Sequence, residues 1–130
     1  MTKPLKRHPE LIKLSHEHHH TLALCARILR NPDQNHSQDI TDHYVDLEQH
    51  FIEEETQFAP LWHKLPDPAL RARFEAEHAE LRRLYAHAEF DSAQWNKTFA
   101  TLLRDHARFE ERELFEALAQ YALPAPDQEK

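Results

Sequence analysis

Apolar residues recur every three or four positions in four stretches of this chain, and prolines punctuate the stretches. That spacing places them on one side of an α-helix. The first stretch runs from about Pro9 to Arg30 and carries Leu11, Leu22, Cys25 and Leu29 on one stripe; the second, from about Ser37 to Leu65, carries Ile40, Leu47, Phe51, Phe58, Leu61 and Leu65. Asp67 followed by Pro68 reads as an N-cap and a first-turn proline. It opens a third stretch to about Phe90 with Phe74, Leu81, Leu84 and Tyr85 on its apolar side. Asp91 or Ser92 caps the fourth, which carries Trp95, Phe99, Leu102, Leu103, Phe109, Leu114, Leu118 and Tyr121 before Pro124. Of the eight prolines, only Pro60 falls inside a stretch, and it predicts a kink in the second helix.

Short connections make successive helices antiparallel, so the pattern predicts an all-α, up-down-up-down four-helix bundle. An extended helical hairpin that dimerises into a bundle has the same periodicity. Composition sharpens the picture. With 40% hydrophobic and 30% charged residues, positions 1–130 read as one domain with its core over about 9–123 and loose ends. There is no glycine, which argues against tight hairpins, nucleotide fingerprints and phosphate loops. No Ser-His-Asp pattern stands in their place. A net charge of −7 provides no broad basic face for nucleic acid. The lone cysteine, Cys25, has no partner for an internal disulfide and reads as a small buried hydrophobe. With neither a signal-peptide h-region nor an apolar run long enough for a membrane span, the expected compartment is the cytoplasm.

The 12 histidines are the unusual feature. Two segments, HFIEEETQF from His50 and HARFEEREL from His106, share the pattern His-x-x-x-Glu-Glu. Positions i and i+4 lie on one helix face, so His50 with Glu54 and His106 with Glu110 each offer a nitrogen and an oxygen to one point. Chain register supports the same reading. Folding the first two helices about position 34 sets His18 opposite His50, folding about 66 sets Glu54 opposite His78, and folding about 92 sets His78 opposite His106. All six lie on the inward stripes, where an unpartnered carboxylate costs several kcal/mol. Six donors exceed the needs of one open tetrahedral site, and two facing carboxylates can bridge a pair of ions, so two metals are expected. Imidazole and carboxylate together suit iron, manganese or zinc, and the lack of cysteine disfavours a thiolate-selected metal.

Through HPELIKLSHEHHHTLAL, HFIEEETQFAPLW, EHAEL and HARFEERELFEAL, the chain resembles the hemerythrin-like family, the HHE cation-binding domain, over almost its whole length. The resemblance implies a four-helix bundle around a non-haem di-iron centre held by His18, His50, Glu54, His78, His106 and Glu110. It implies two iron ions with an oxo or hydroxo bridge, with manganese or zinc as alternatives. The chain departs from the oxygen-carrying members at two places. Those place His-x-x-x-His on the third helix and a carboxylate five residues after the last histidine, whereas here Arg82 follows His78 and Glu111 is the fifth residue after His106. Glu110 fits the inward stripe better, Glu111 is the second choice, and His19 is the alternate to His18. Fewer protein ligands leave a position for a small molecule. The expectation is therefore binding or sensing of dioxygen, nitric oxide or peroxide, or iron handling, by a monomer or homodimer, rather than oxygen carriage or dedicated enzymatic turnover. A metal-free, pH-responsive histidine-rich interaction module is the contrasting reading, and a mononuclear or zinc site is the third.

The remaining polar residues read as surface. At most two residues of HEHHH at 16–20 can face inward. His8, His36, His43, His63 and His87 fall on segment ends or outward faces, and Glu53, Glu55 and Glu113 read as solvated charges. Phe51, Phe58, Phe109 and Leu114 are expected to keep the centre dry.

Overall fold

The computed structural model describes residues 7–124, and among them there is no strand. Four helices, α1 (Ile12–Arg30), α2 (Ser37–Phe58), α3 (Pro68–Ala86) and α4 (Ala93–Phe109), form the bundle. A short 3-10 turn, Pro9–Leu11, leads into α1. Caps set the starts of the elements. Asp67 accepts the Ala69 N–H with Pro68 in the first turn of α3, and Ser92 accepts the Trp95 N–H at the start of α4. No described residue has positive φ, so the helices stop without the left-handed cap that glycine usually provides.

Proline takes part in that role. α2 stops at Phe58 instead of kinking through to Leu65. Pro60 has no N–H to continue the ladder and its ring collides with the preceding turn. The chain then tightens, with Leu61 N–H on the Phe58 carbonyl and a 3-10 turn at Trp62–Lys64. α3 likewise stops at Ala86 rather than Phe90, closed by His87 N–H to Arg83 and Ala88 N–H to Tyr85. Phe90 is thereby released to meet Trp95 edge-on at 5.4 Å.

The inward series runs from Leu11 at the end of the 3-10 turn through Leu14, His18, Thr21, Cys25 and Ile28 of α1, all buried, with Leu24 beside it. Leu22 and Leu29, expected on the stripe, lie at its margin. Steps alternating between three and four track the bundle axis, and polar Thr21 hid that series from the apolar pattern. Cys25 is fully buried and its thiol is pushed up to about 12 by burial.

Two apolar clusters fill the bundle. One contains Leu24, Ile28, Ile40, Leu47, Phe51, Leu81, Trp95, Phe99 and Leu103. The other contains Leu11, Leu14, Phe58, Trp62, Phe74, Phe109, Leu114, Phe115 and Leu118. At the end of the first cluster, buried Asn96 donates through Nδ2 to the carbonyls of Pro32, Gln34 and Phe90, tying two connections together. The polar centre lies between the clusters. Past Phe109 the helix widens: Phe115 N–H reaches the Glu110 carbonyl, an i to i+5 bond, and Leu123 N–H reaches Leu118 in the same way. Such π turns add a residue to the turn and are frequent at functional sites. Here the first begins at Glu110.

No helix of the described residues is long and apolar enough to cross a membrane.

Candidate metal centre

Six polar side chains are buried between the apolar clusters: His18 on α1, His50 and Glu54 on α2, His78 on α3, His106 on α4, and Glu110 at the π turn. Both carboxylates have no exposed surface. All four histidines turn Nε2 inward. His18 Nε2 lies 2.8 Å from Glu110 Oε1, and His50 Nε2 lies 3.0 Å from Glu54 Oε2. On the other side His78 Nε2 lies 3.2 Å from Glu54 Oε1, and His106 Nε2 lies 3.1 Å from Glu110 Oε2. Each carboxylate therefore presents one oxygen to the His18 and His50 pair and its other oxygen to the His78 and His106 pair.

These donors form two overlapping groups able to hold an ion: His18, His50, Glu54 and Glu110, and Glu54, His78, His106 and Glu110. Within each group the donor atoms lie within 4.8 Å of one another. Several are close without being aligned as hydrogen bonds. Both Glu54 oxygens, His78 Nε2, His106 Nε2 and Glu110 Oε2 are buried with no hydrogen-bond partner. Buried polar atoms are otherwise almost always satisfied. Donors that converge on shared points rather than aim at one another fit a cation.

The electrostatics agree. Burial alone would lower the histidine pKa values, but the carboxylates reverse the shift. Glu110 and Glu111 bring His18 to about 9, Glu110 and Glu54 bring His50 to about 11, and Glu110 with Glu77 brings His106 to about 10. His78 is also raised despite burial, through Glu110 and Glu54. Burial and the charge of Glu110 raise Glu54, whereas the histidines outweigh burial and hold Glu110 well below the usual carboxylate range. Two carboxylates in this space call for positive charge, which a bound cation would supply in place of protons.

Each histidine is oriented from behind. Nδ1 of His50 meets Glu17 Oε1, Nδ1 of His78 meets Glu55 Oε2, Nδ1 of His106 meets Glu77 Oε1 and Nδ1 of His18 meets Glu111 Oε2, every one at 2.7 Å. A proton on Nδ1 given to the outer carboxylate leaves the Nε2 lone pair facing inward. Each outer carboxylate also meets a cation: Lys13 for Glu17, Arg82 for Glu55, Arg73 for Glu77 and Arg7 for Glu111. Burial opposes ionisation of all four, but the imidazole and cation partners outweigh it and hold them below the usual range. The arrangement is a ring: α1 orients a histidine of α2, α2 one of α3, α3 one of α4, and the turn after α4 one of α1.

Several expectations change here. Glu111, the second choice as an inward carboxylate, lies on the outer side of His18, because the adjacent residue on a helix is rotated by about 100°. His19, the alternate to His18, is exposed, with its ring tilted against that of His16 at 5.3 Å. Glu55 is not a free surface charge, since it links His78 to Arg82. His8 is buried, accepts the Glu10 N–H and contacts the Pro124 carbonyl at 2.6 Å. His43 is half-buried, with Nε2 2.9 Å from Thr21 Oγ1. Arg82 turns to Glu48 and Glu55 instead of contributing a donor at its place on α3.

A helical bundle with paired imidazole and carboxylate donors at its middle defines a metal-binding class of protein. The family model of the hemerythrin HHE cation binding domain matches residues 11–118, and the chain belongs to that family. Searches of curated proteins and of solved structures found no match.

Proposed function

We propose that this protein is a non-haem di-iron protein in which His18 and His50 hold one ion, His78 and His106 hold the other, and Glu54 and Glu110 bridge them. The observation that carries this reading is the division of each carboxylate between the two histidine pairs, which suits two ions better than one. Imidazole and carboxylate without thiolate suit iron, with manganese or zinc as substitutes. When bound, the ions would supply reversible one-electron chemistry and an open position for a small ligand such as dioxygen, nitric oxide or peroxide. The protein's own groups set the conditions for that chemistry. The outer carboxylates fix the imidazoles, and Phe51 and Phe74, each 4.1 Å from the His78 ring, hold that ring in place. With Arg82 withdrawn from the centre, α3 contributes one imidazole, which favours ligand sensing or iron handling over oxygen carriage. No nucleophile or nucleotide motif among the described residues accompanies the centre, so binding rather than turnover is the proposed role.

Metal content per chain, measured on tag-free protein with absorption spectra before and after exposure to oxygen and nitric oxide, tests this reading. Two irons per chain and a ligand-dependent visible spectrum are expected. A chain that takes up no metal on reconstitution with iron would return the protein to the metal-free, pH-responsive reading.

A further inference from the structure

Two tyrosines that the metal centre does not use lie face to face between α2 and α3. The ring centroids of Tyr44 and Tyr85 are 3.6 Å apart and their planes differ by 1°. Aromatic pairs left to themselves prefer offset or edge-on arrangements with centroids about 4.5–7 Å apart, so the fold imposes this sandwich. Its cause is a clamp on the adjoining turns. Tyr44 Oη donates to Glu48 Oε1 at 3.1 Å, and Arg82, three residues before Tyr85 on α3, holds both oxygens of Glu48. Residues three and four apart share one helix face, so the ion pair and the stack bridge the same two helices side by side. Both rings pack against the first apolar cluster and are half-buried, so solvent reaches them in part. Burial and the charge of Glu48 push the Tyr44 pKa up, which keeps it an un-ionised phenol at neutral pH.

The geometry points to Tyr44 and Tyr85 as an oxidative modification site, at which a peroxide couples the two rings into an intramolecular dityrosine that fastens α2 to α3. Each ring gives up one electron and its phenolic proton, and a carbon–carbon bond forms between the carbons ortho to the two oxygens. The hydrogens on those carbons then move to the oxygens and restore both phenols, so the chain has lost two hydrogens in all. The O–O bond of the peroxide breaks as it takes the two electrons, and with the two protons hydrogen peroxide becomes two waters. A face-to-face stack is the arrangement this bond requires. The half-filled π orbitals of two phenoxyl radicals project from the ring faces, so the carbons approach along the perpendicular, and reacting atoms are poised at about 3–3.5 Å. Tyr121, the third tyrosine of the chain, is 50% exposed and joins no ring stack among the described residues. The new bond would lie beside the Arg82 clamp on Glu55 and so fix the contact between α2 and α3 that orients His78.

The test uses the full-length, tag-free chain and persulfate, a peroxide that is reduced to two sulfates, activated by light and a ruthenium trisbipyridine sensitiser so that no bound metal is needed. Dityrosine is read by its fluorescence and by mass spectrometry of the digested monomer. The expected product is a monomer lighter by two hydrogens, with one cross-linked peptide joining Tyr44 to Tyr85. Tyr121→Phe is expected to retain that product, and Tyr44→Phe and Tyr85→Phe each to lose it. In urea, where the stack is gone, the yield in the monomer should fall about tenfold or more, because the rings are no longer held in reach of each other. Dityrosine found only in covalent dimers overturns the proposal, as does dityrosine persisting in the monomer of Tyr44→Phe or Tyr85→Phe, or an undiminished monomer yield in urea.

Discussion

The two halves of the centre use the same donors, yet their surroundings differ. His78 lies between Phe51, on which it stacks, and a tilted Phe74, and His106 has Phe51, Phe74 and Phe109 around it. On the other half, His18 stacks on Phe115 at 5.6 Å, while His50 forms part of the wall of a solvent-facing cavity between α1 and α2. The orienting carboxylates follow suit. Glu55 is clamped by the Arg82 guanidinium, which lies 5.4 Å from the Phe51 ring, whereas Glu17 is met by Lys13, whose side chain is 67% exposed. Each half also meets a cavity, His50 between α1 and α2 and His78 beside Trp62 and Arg82, so the halves differ in aromatic packing and in the cation behind the outer carboxylate. The half around His78 and His106 is the more aromatic of the two.

The comparison can be broken most severely at its shared element. Glu110 contacts all four histidines, whereas Glu54 contacts one of each pair. Glu110→Ala should abolish tight metal binding and lower stability by about 3–5 kcal/mol, the cost of breaking a buried charged network. Glu54→Ala should retain one metal per chain. Elemental analysis with urea unfolding checks both, and equal metal loss in the two variants would refute the ranking. Next comes the aromatic wall. Phe74→Ala leaves a cavity beside His78 and should cost about 3–4 kcal/mol, with faster release of one of the two ions in stopped-flow chelation.

The outer carboxylates sharpen the contrast. Glu17→Gln and Glu55→Gln should each lower metal affinity, by roughly 10–100-fold as such orienting partners do. Glu17→Gln should have the larger effect, because aromatic stacking still holds His78 when its carboxylate is gone. Competition with a chromophoric chelator measures this, and the reverse order would mean that the aromatic wall does not hold the imidazole. The smallest effect belongs to Lys13→Ala. Its exposed ion pairs should be worth no more than about 0.5 kcal/mol in thermal unfolding, with metal content unchanged.

Much of the bundle was legible because its helices are amphipathic and bounded by proline and capping residues. The inner six residues were legible because a polar residue on an apolar stripe, met by another at the mirrored position, needs a shared explanation. The orienting ring was missed for a physical reason. An acid next to an inward residue on a helix points sideways, toward the neighbouring helix, while sequence patterning separates only inside from outside. The signal was present as an acid beside an inner donor on every helix: Glu17 before His18, Glu55 after Glu54, Glu77 before His78 and Glu111 after Glu110. The π turn at Glu110 had no comparable signal, since it depends on how Leu114 and Phe115 both reach the core.

The ring of orienting contacts is uneven in the length of chain it closes. Three links join helices adjacent in the chain, across 33, 23 and 29 residues, while the fourth, from Glu111 to His18, spans 93. Closing a longer loop costs more entropy, and local pairings form before distant ones. The contacts that orient His50, His78 and His106 are thus the less costly to close, and the one that orients His18 is the most costly. Both Glu110 and the partner of His18, Glu111, lie beyond the end of α4 at Phe109. The segment after α4 thus completes both the inner donor set, through Glu110, and the orienting ring, through Glu111.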